Sequence, residues 1–75
     1  MNYGIRKVLK EKKVKDKKII MAELFGTNLF AILIFDENDN LIDSECNCTF
    51  DDEKMARKIT NLHYRKKLKN LQNFW

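Results

Sequence analysis

The sequence contains no proline and only two glycines, Gly4 and Gly26. Because these residue types mark turns and flexible connections, their scarcity excludes long loops and linkers. A hydrophobic fraction of 44% beside a charged fraction of 35% excludes a disordered chain. At 75 residues, the chain is close to the lower limit at which one hydrophobic core sustains a fold. We therefore expect one small domain over residues 1–75.

Long apolar runs are also lacking. No stretch reaches the roughly 20 apolar residues that a membrane-spanning helix needs. No apolar segment follows the Lys-rich N-terminus, as one would in a signal peptide. We expect a cytoplasmic protein that does not associate with a membrane.

Residue types that bind metals or catalyse reactions are few. The two cysteines, Cys46 and Cys48, would lie on one side of a strand, where a disulfide between them would be strained, so we expect small buried apolar groups. A zinc site would have to add His63, the one histidine, and a carboxylate. The chain also lacks a nucleophile beside a base and a glycine-rich phosphate loop. We predict no metal, no cofactor and no enzymatic activity, and we expect His63 at the edge of the core.

Charge of one sign is missing from two of three segments. Residues 1–18 carry eight Lys or Arg and two acids, and residues 19–53 carry nine acids without any Lys or Arg. Residues 54–75 carry seven Lys or Arg and no acid. An acidic middle is thus flanked by two basic segments, a distribution that the net charge of +4 hides.

The acidic middle predicts the sheet. Three apolar runs of strand length lie between residues 19 and 48 and are separated by short turns, which indicates a three-stranded antiparallel β-meander. We expect Phe25 to pair with Leu29, and Phe35 with Leu41. One apolar face then comprises Ile20, Ala22, Leu24, Phe30, Ile32, Ile34, Ile42, Ser44, Cys46 and Cys48. The other face is apolar over two strands, so we expect it to be partly covered as well.

The turn at residues 36–40 matches the first half of a calcium-binding loop. Leu41 and Asn47, however, replace the glycine and the glutamate that such a loop requires. We therefore predict an ordinary turn rich in Asp and Asn.

The N-terminal segment is predicted to cover the second face. Ile5, Val8 and Leu9 recur at helical spacing, which indicates a short N-terminal helix or a basic arm over residues 1–18. Residues 12–18 form either a solvated connection or a basic extension of the first strand. The fold class is therefore α+β, with a meander packed by a long C-terminal helix.

That helix is predicted over residues 51–74, because Asp51 is a suitable N-cap and nothing after it breaks a helix. Its apolar residues form two stripes on different sides. Met55, Ile59 and Leu62 make the first stripe, which we expect to pack on Ile32, Ile34, Ile42 and Cys46. Tyr64, Leu68, Leu71 and Trp75 make the second stripe. We predict that the second stripe forms a homodimer interface, unless a kink near residues 61–63 returns it to the sheet.

A third stripe along the helix is basic and polar. It comprises Lys54, Lys58, Asn61, Arg65, Lys69 and Gln72, with Lys66 nearby and with Arg6, Lys7 and Lys10 from the N-terminal segment. Clustered cations bind phosphate backbones by releasing counterions. Asn61, Arg65 and Gln72 also suit contacts with base edges in a groove. We predict a small non-enzymatic nucleic-acid-binding protein.

Other functions remain open. An inhibitor or adaptor of phage or mobile-element type would bind a protein, for example a host nucleic-acid-processing or defence complex. It would act through the apolar stripe or through acids such as Asp43 and Glu45, which could imitate phosphates. The basic stripe could also meet an acidic protein surface, or remain a solvated face without a partner.

Overall fold

The computed structural model of the protein describes residues 4–26, 29–47 and 52–74. These residues form four strands and one helix, namely β1 Ile5–Val14, β2 Lys17–Leu24, β3 Phe30–Phe35, β4 Leu41–Asn47 and α1 Glu53–Phe74. The strands make one antiparallel sheet in the order β1-β2-β3-β4. The predicted α+β class, with an antiparallel sheet and one C-terminal helix, is confirmed. No helix in the described ranges is long and apolar enough to cross a membrane.

The number of strands was wrong in the sequence prediction, because the predicted N-terminal helix is strand β1. The register with β2 shifts at Arg6 and again at Leu9, so that each is an extra residue opposite its partner strand. These two β-bulges break the alternation of side chains, which is why the apolar spacing resembled that of a helix. Ile5 packs with the residues of one sheet face, whereas Leu9 packs with those of the other.

The three turns are short. Lys15 and Asp16 alone connect β1 to β2, with Lys15 at a φ of 58°. Of residues 12–18, which were predicted as a connection or as an extension of the following strand, only Lys17 and Lys18 extend that strand, and residues 12–14 belong to β1. Gly26 follows β2 at a φ of 127°, close against Leu29, where a Cβ atom would collide with the leucine side chain. At the third turn the Asp36 carboxylate accepts hydrogen bonds from the backbone N–H groups of Asn38 and Asn40, both at 2.9 Å.

The register of the sheet differs by one residue from the prediction at both hairpins. Glu23 pairs with Phe30, which moves β2 to the opposite faces. Phe35 does pair with Leu41, but Ile42 is an extra residue in the ladder, so Ile34 pairs with Asp43. This second shift brings the acids of β4 to the face that carries Ile32 and Ile34.

The helix-side face of the sheet forms the main core. It contributes Ile19, Met21, Ile32 and Ile34, and α1 contributes Tyr64 and Leu71, with Leu9, Val14 and Leu68 packed at the margin. Of α1, the buried residues are Ala56, Thr60, Tyr64 and Leu71. The predicted packing of the first stripe was therefore wrong, because Met55 and Leu62 are 47% and 50% exposed.

The far face of the sheet is also apolar. Its buried residues are Ile20, Ala22, Ala31, Leu33 and Phe35, with Ile5 and Leu24 beside them. In the described part of the chain no helix lies on this face. The prediction of an N-terminal helix as its cover is thus wrong, although the expected burial of its centre is correct.

Candidate nucleic-acid interface

Two features set the direction in which each cation of α1 points. One is the residue at which the helix begins, and the other is its buried seam, formed by Ala56, Thr60, Tyr64 and Leu71. Asp52 caps the helix, since its carboxylate accepts the backbone N–H of Lys54 at 3.0 Å. The predicted cap, Asp51, lies outside the described residues. Thr60 is fully buried because its hydroxyl donates to the carbonyl of Ala56 at 2.7 Å and so needs no other partner.

The side of α1 opposite this seam is the basic face. Its exposed residues are Lys54, Lys58, Arg65, Lys66, Lys69 and Gln72. The ion pairs among the described residues involve none of these five cations. From Lys54 to Lys69 the face extends about 22 Å along the helix axis. The structure thus brings together most of the predicted helical site residues on one solvent-facing surface.

The β4 flank of α1 is closed by ion pairs. The Lys67 ammonium donates to the Asp43 carboxylate at 3.0 Å and lies 3.7 Å from that of Glu45. A ring nitrogen of His63, Nδ1, lies 2.5 Å from the second carboxylate oxygen of Glu45. Both acids, which were candidates for imitating phosphates, therefore already face basic groups of the same chain.

The β1 flank is arranged differently. Lys10 donates a hydrogen bond to the side-chain oxygen of Asn61, and its ammonium lies 5.8 Å from the centre of the Tyr64 ring. Glu23, an acid on this flank, lies 3.6 Å from Arg6 and 3.5 Å from Arg57. Lys10 joins strand β1 to the basic face.

A cleft opens between β1 and the first turns of α1. Its volume is about 430 Å³. It is lined by Leu9, Lys10, Met21, Lys54, Arg57, Lys58 and Asn61. The bulge at Leu9 explains the cleft, because it allows two consecutive residues of β1 to reach the helix side. The floor is apolar and the walls carry four cations.

Two further predicted site residues from the N-terminal segment, Arg6 and Lys7, are exposed on β1. Arg6 is engaged with Glu23, as described above, and Lys7 is paired in register with the same glutamate. Asn61 is half-buried at the cleft and is not on the outward face. The prediction that Asn61 contacts base edges stays a prediction, and its position restricts such a contact to a base that enters the cleft.

The predicted homodimer stripe lies largely inside the protein. Tyr64 and Leu71 are buried against the sheet, and Leu68 is packed at the margin of the same core. Trp75 lies outside the described residues. Both halves of α1 pack on the same sheet face through the buried seam. The second stripe is therefore not left bare, which was the reason for predicting a homodimer interface there.

The surroundings of Tyr64 and Asp36 shift the pKa values of these two groups. Burial, with a smaller effect of the Glu11 charge, raises the pKa of the Tyr64 hydroxyl above its usual value. Hydrogen bonds from the backbone, the largest from Asn40, hold the pKa of the Asp36 carboxyl below its usual value. This carboxylate thus serves the turn, in agreement with the prediction of an ordinary turn.

The candidate metal ligands are not brought together. Cys46 is exposed, contrary to the prediction of a buried apolar group, and its partner in register is Ala31 on the far face. His63 instead contacts Glu45 on the helix-side face of the sheet, and Cys48 lies outside the described residues. In the described ranges no three His, Cys, Asp or Glu side chains are grouped to hold a metal ion.

Sequence reasoning missed the roles of Leu9 and Arg57. Leu9 was predicted to lie in a helix. No residue type in the sequence identifies the β-bulge at this position. Arg57 was not among the predicted site residues because it lies outside the basic stripe, although its position three residues after Lys54 indicated a neighbouring site on the helix. The chain matches no protein-family model, and neither curated proteins nor solved structures include a significant match to it.

Proposed function

We propose that the protein binds nucleic acid through the basic face of α1 and the adjoining residues of β1. The observation that carries this proposal is the separation of charges across the helix. Lys67 and His63 face acids of the sheet, whereas the cations of the outward face are exposed and meet no described acid. An unneutralised basic surface attracts a polyanion and gains free energy by releasing the counterions of its phosphates.

The dimensions of the face also suit a nucleic acid. An exposed helix presents its outward residues as a ridge that a sugar-phosphate backbone can follow. The distance of about 22 Å between the first and last lysines spans several successive phosphates of one strand. Arg65 and Gln72 are the exposed residues of the face that can reach base edges.

The protein-binding alternative receives less support. It relied on the acids of β4 and on an apolar stripe of the helix, and both are engaged within the chain. An acidic protein surface remains a rival partner for the same basic face, and the experiment below includes it as an outcome.

The test is a salt titration of binding, followed by fluorescence anisotropy of a labelled oligonucleotide between about 50 and 200 mM salt. Lys58→Ala, Arg65→Ala and Lys69→Ala should each weaken binding and reduce the slope of log affinity against log salt by about one unit. Lys18→Ala is the matched control, because Lys18 pairs in register with Phe35 on the far face and lies 3.8 Å from Asp39. Its slope should remain that of the unmodified protein.

Two results would overturn the proposal. One is the absence of binding to single-stranded and duplex DNA and RNA at about 50 mM salt. The other is an equal loss of binding for Lys18→Ala and Lys58→Ala, which would indicate a general effect of net charge. Binding to an acidic polypeptide such as polyglutamate in preference to an oligonucleotide of equal charge would favour the rival partner.

A further inference from the structure

The cleft on the β1 flank has a chemistry that the outward basic face lacks. Its floor is formed by the apolar side chains of Leu9 and Met21, while Lys54 and Lys58 stand at its helical wall. A solvated basic face has no need of an apolar recess. A ligand that fits both parts must combine negative charge with a flat or compact apolar body.

The cations of this cleft divide into two groups. Arg57 is held in place, because its guanidinium lies 3.5 Å from Glu23 and 5.7 Å from the centre of the Phe30 ring. Lys54 and Lys58 are exposed and have no described carboxylate within ion-pair distance. The two lysines are therefore the groups that can take up phosphates, whereas Arg57 shapes the wall.

Asn61 supplies the directional group. Its side-chain oxygen accepts the hydrogen bond from Lys10, which fixes the orientation of the amide at the wall of the cleft. The amide N–H groups are then the donors that this side chain offers to a ligand. A base edge with carbonyl or ring-nitrogen acceptors meets that requirement.

The size of the cleft selects among nucleic-acid forms. Pockets for small ligands typically measure about 300–1,000 Å³, so that a volume of about 430 Å³ accommodates one nucleotide and no duplex. A base within a duplex is stacked and paired, whereas a base in a single strand can turn out and lie on a protein surface.

We propose that this cleft binds one unpaired nucleotide of a single-stranded nucleic acid. The base lies on Leu9, above the buried Met21, and the adjoining phosphates contact Lys54 and Lys58. This inference rests on the proposed function, and it specifies a preference for single strands over duplexes of the same sequence.

The first measurement compares three labelled ligands of equal length: a single strand, its duplex, and a strand of the same backbone without bases. The unmodified protein should bind the single strand about fivefold more tightly than the strand without bases, because the base buries apolar surface against Leu9. It should also prefer the single strand to the duplex. The ligand without bases retains the phosphates, so this difference isolates the base.

Asn61→Leu is the variant that tests the cleft. It leaves the charge unchanged, introduces a residue that favours the helix, and removes the amide that would donate to the base and that accepts the hydrogen bond from Lys10. The single strand and the strand without bases should then bind nearly equally. Lys69→Ala is the matched control, because Lys69 does not line the cleft. It should weaken the binding of both ligands by a similar factor and preserve their ratio.

The outcomes separate this inference from the proposed function. Equal binding of all three ligands by the unmodified protein, or an Asn61→Leu variant that keeps the preference, would overturn the cleft proposal and leave nucleic-acid binding intact. Absence of binding to every oligonucleotide would overturn both proposals. Binding of a free nucleoside monophosphate without binding of any oligonucleotide would also overturn both, and would assign the cleft to a small molecule.

Discussion

On the β4 flank of α1, Lys67 and His63 lie against Asp43 and Glu45, whereas on the β1 flank Lys10 and Arg57 border a cleft. Both flanks use basic side chains from the same helix or from an edge strand. They differ in the acids opposite, because the bulge at Ile42 brings the acids of β4 to the helix side. Lys67 and His63 are therefore structural, as is Arg57 beside Glu23, whereas the cations of the outward face are left available for a ligand.

The comparison depends first on the rotation of α1, and Leu71 provides the largest expected effect. Leu71→Ala should lower the free energy of unfolding by about 2–5 kcal/mol, because the side chain is 1% exposed and its removal leaves a cavity. Leu62→Ala is the matched control and should change stability by less than about 0.5 kcal/mol. Urea unfolding followed by circular dichroism measures both. Similar losses for the two variants would mean that the helix presents another side to the sheet.

The rotation of α1 was the point at which sequence reasoning failed, and the physical reason is specific. The first half of the buried seam contains Ala56, which is small, and Thr60, which is polar, whereas the large apolar residues Met55 and Leu62 are exposed. A threonine that bonds to the carbonyl four residues before it is buried at little cost. Counting apolar residues on a helical wheel gives no indication of that bond.

The extent and order of the last three strands and of the helix were predictable, because apolar runs and turn residues mark them directly. The register was not, since a shift of one residue reverses every side chain of a strand. Ile42 and Leu9 occupy bulges, and each bulge moves its neighbours to the opposite face. The charge pairs on the β4 flank and the cleft on the β1 flank follow from these two residues, so the site could be predicted only in part.

Basic residues of the β1 and β4 flanks should differ in what their removal changes, stability or nucleic-acid binding. Both effects should be smaller than that of Leu71→Ala. Lys67→Ala should lower the free energy of unfolding by about 0.2–1 kcal/mol, as partly exposed ion pairs do, and a double-mutant cycle with Asp43→Ala should recover a coupling of that size. The salt slope of nucleic-acid binding should not change. Lys58→Ala should show the reverse, with reduced slope and unchanged stability.

A contradictory result on these variants would be informative. If Lys67→Ala reduced the salt slope as much as Lys58→Ala, the β4 flank would also contact phosphates. The distinction between the two flanks would then be lost, although the proposed function would stand.

The smallest effect concerns Tyr64, whose ring lies 5.8 Å from the Lys10 ammonium on the β1 flank and whose hydroxyl changes stability with pH only in the alkaline range. Burial raises the pKa of its hydroxyl in the folded protein. A raised folded pKa favours the protonated hydroxyl, so the contribution to stability is complete below the unfolded value of about 10 and is lost as pH rises through the folded pKa. We expect the unmodified protein to lose stability over that alkaline range more steeply than Tyr64→Phe.

The comparison with Tyr64→Phe controls for the lysines, whose deprotonation at alkaline pH also changes stability, because both proteins carry the same lysines. The urea midpoint of the unmodified protein divided by that of Tyr64→Phe should be constant up to about pH 9 and should fall at higher pH. Parallel curves over the whole range would show that the Tyr64 hydroxyl is solvated in the folded state.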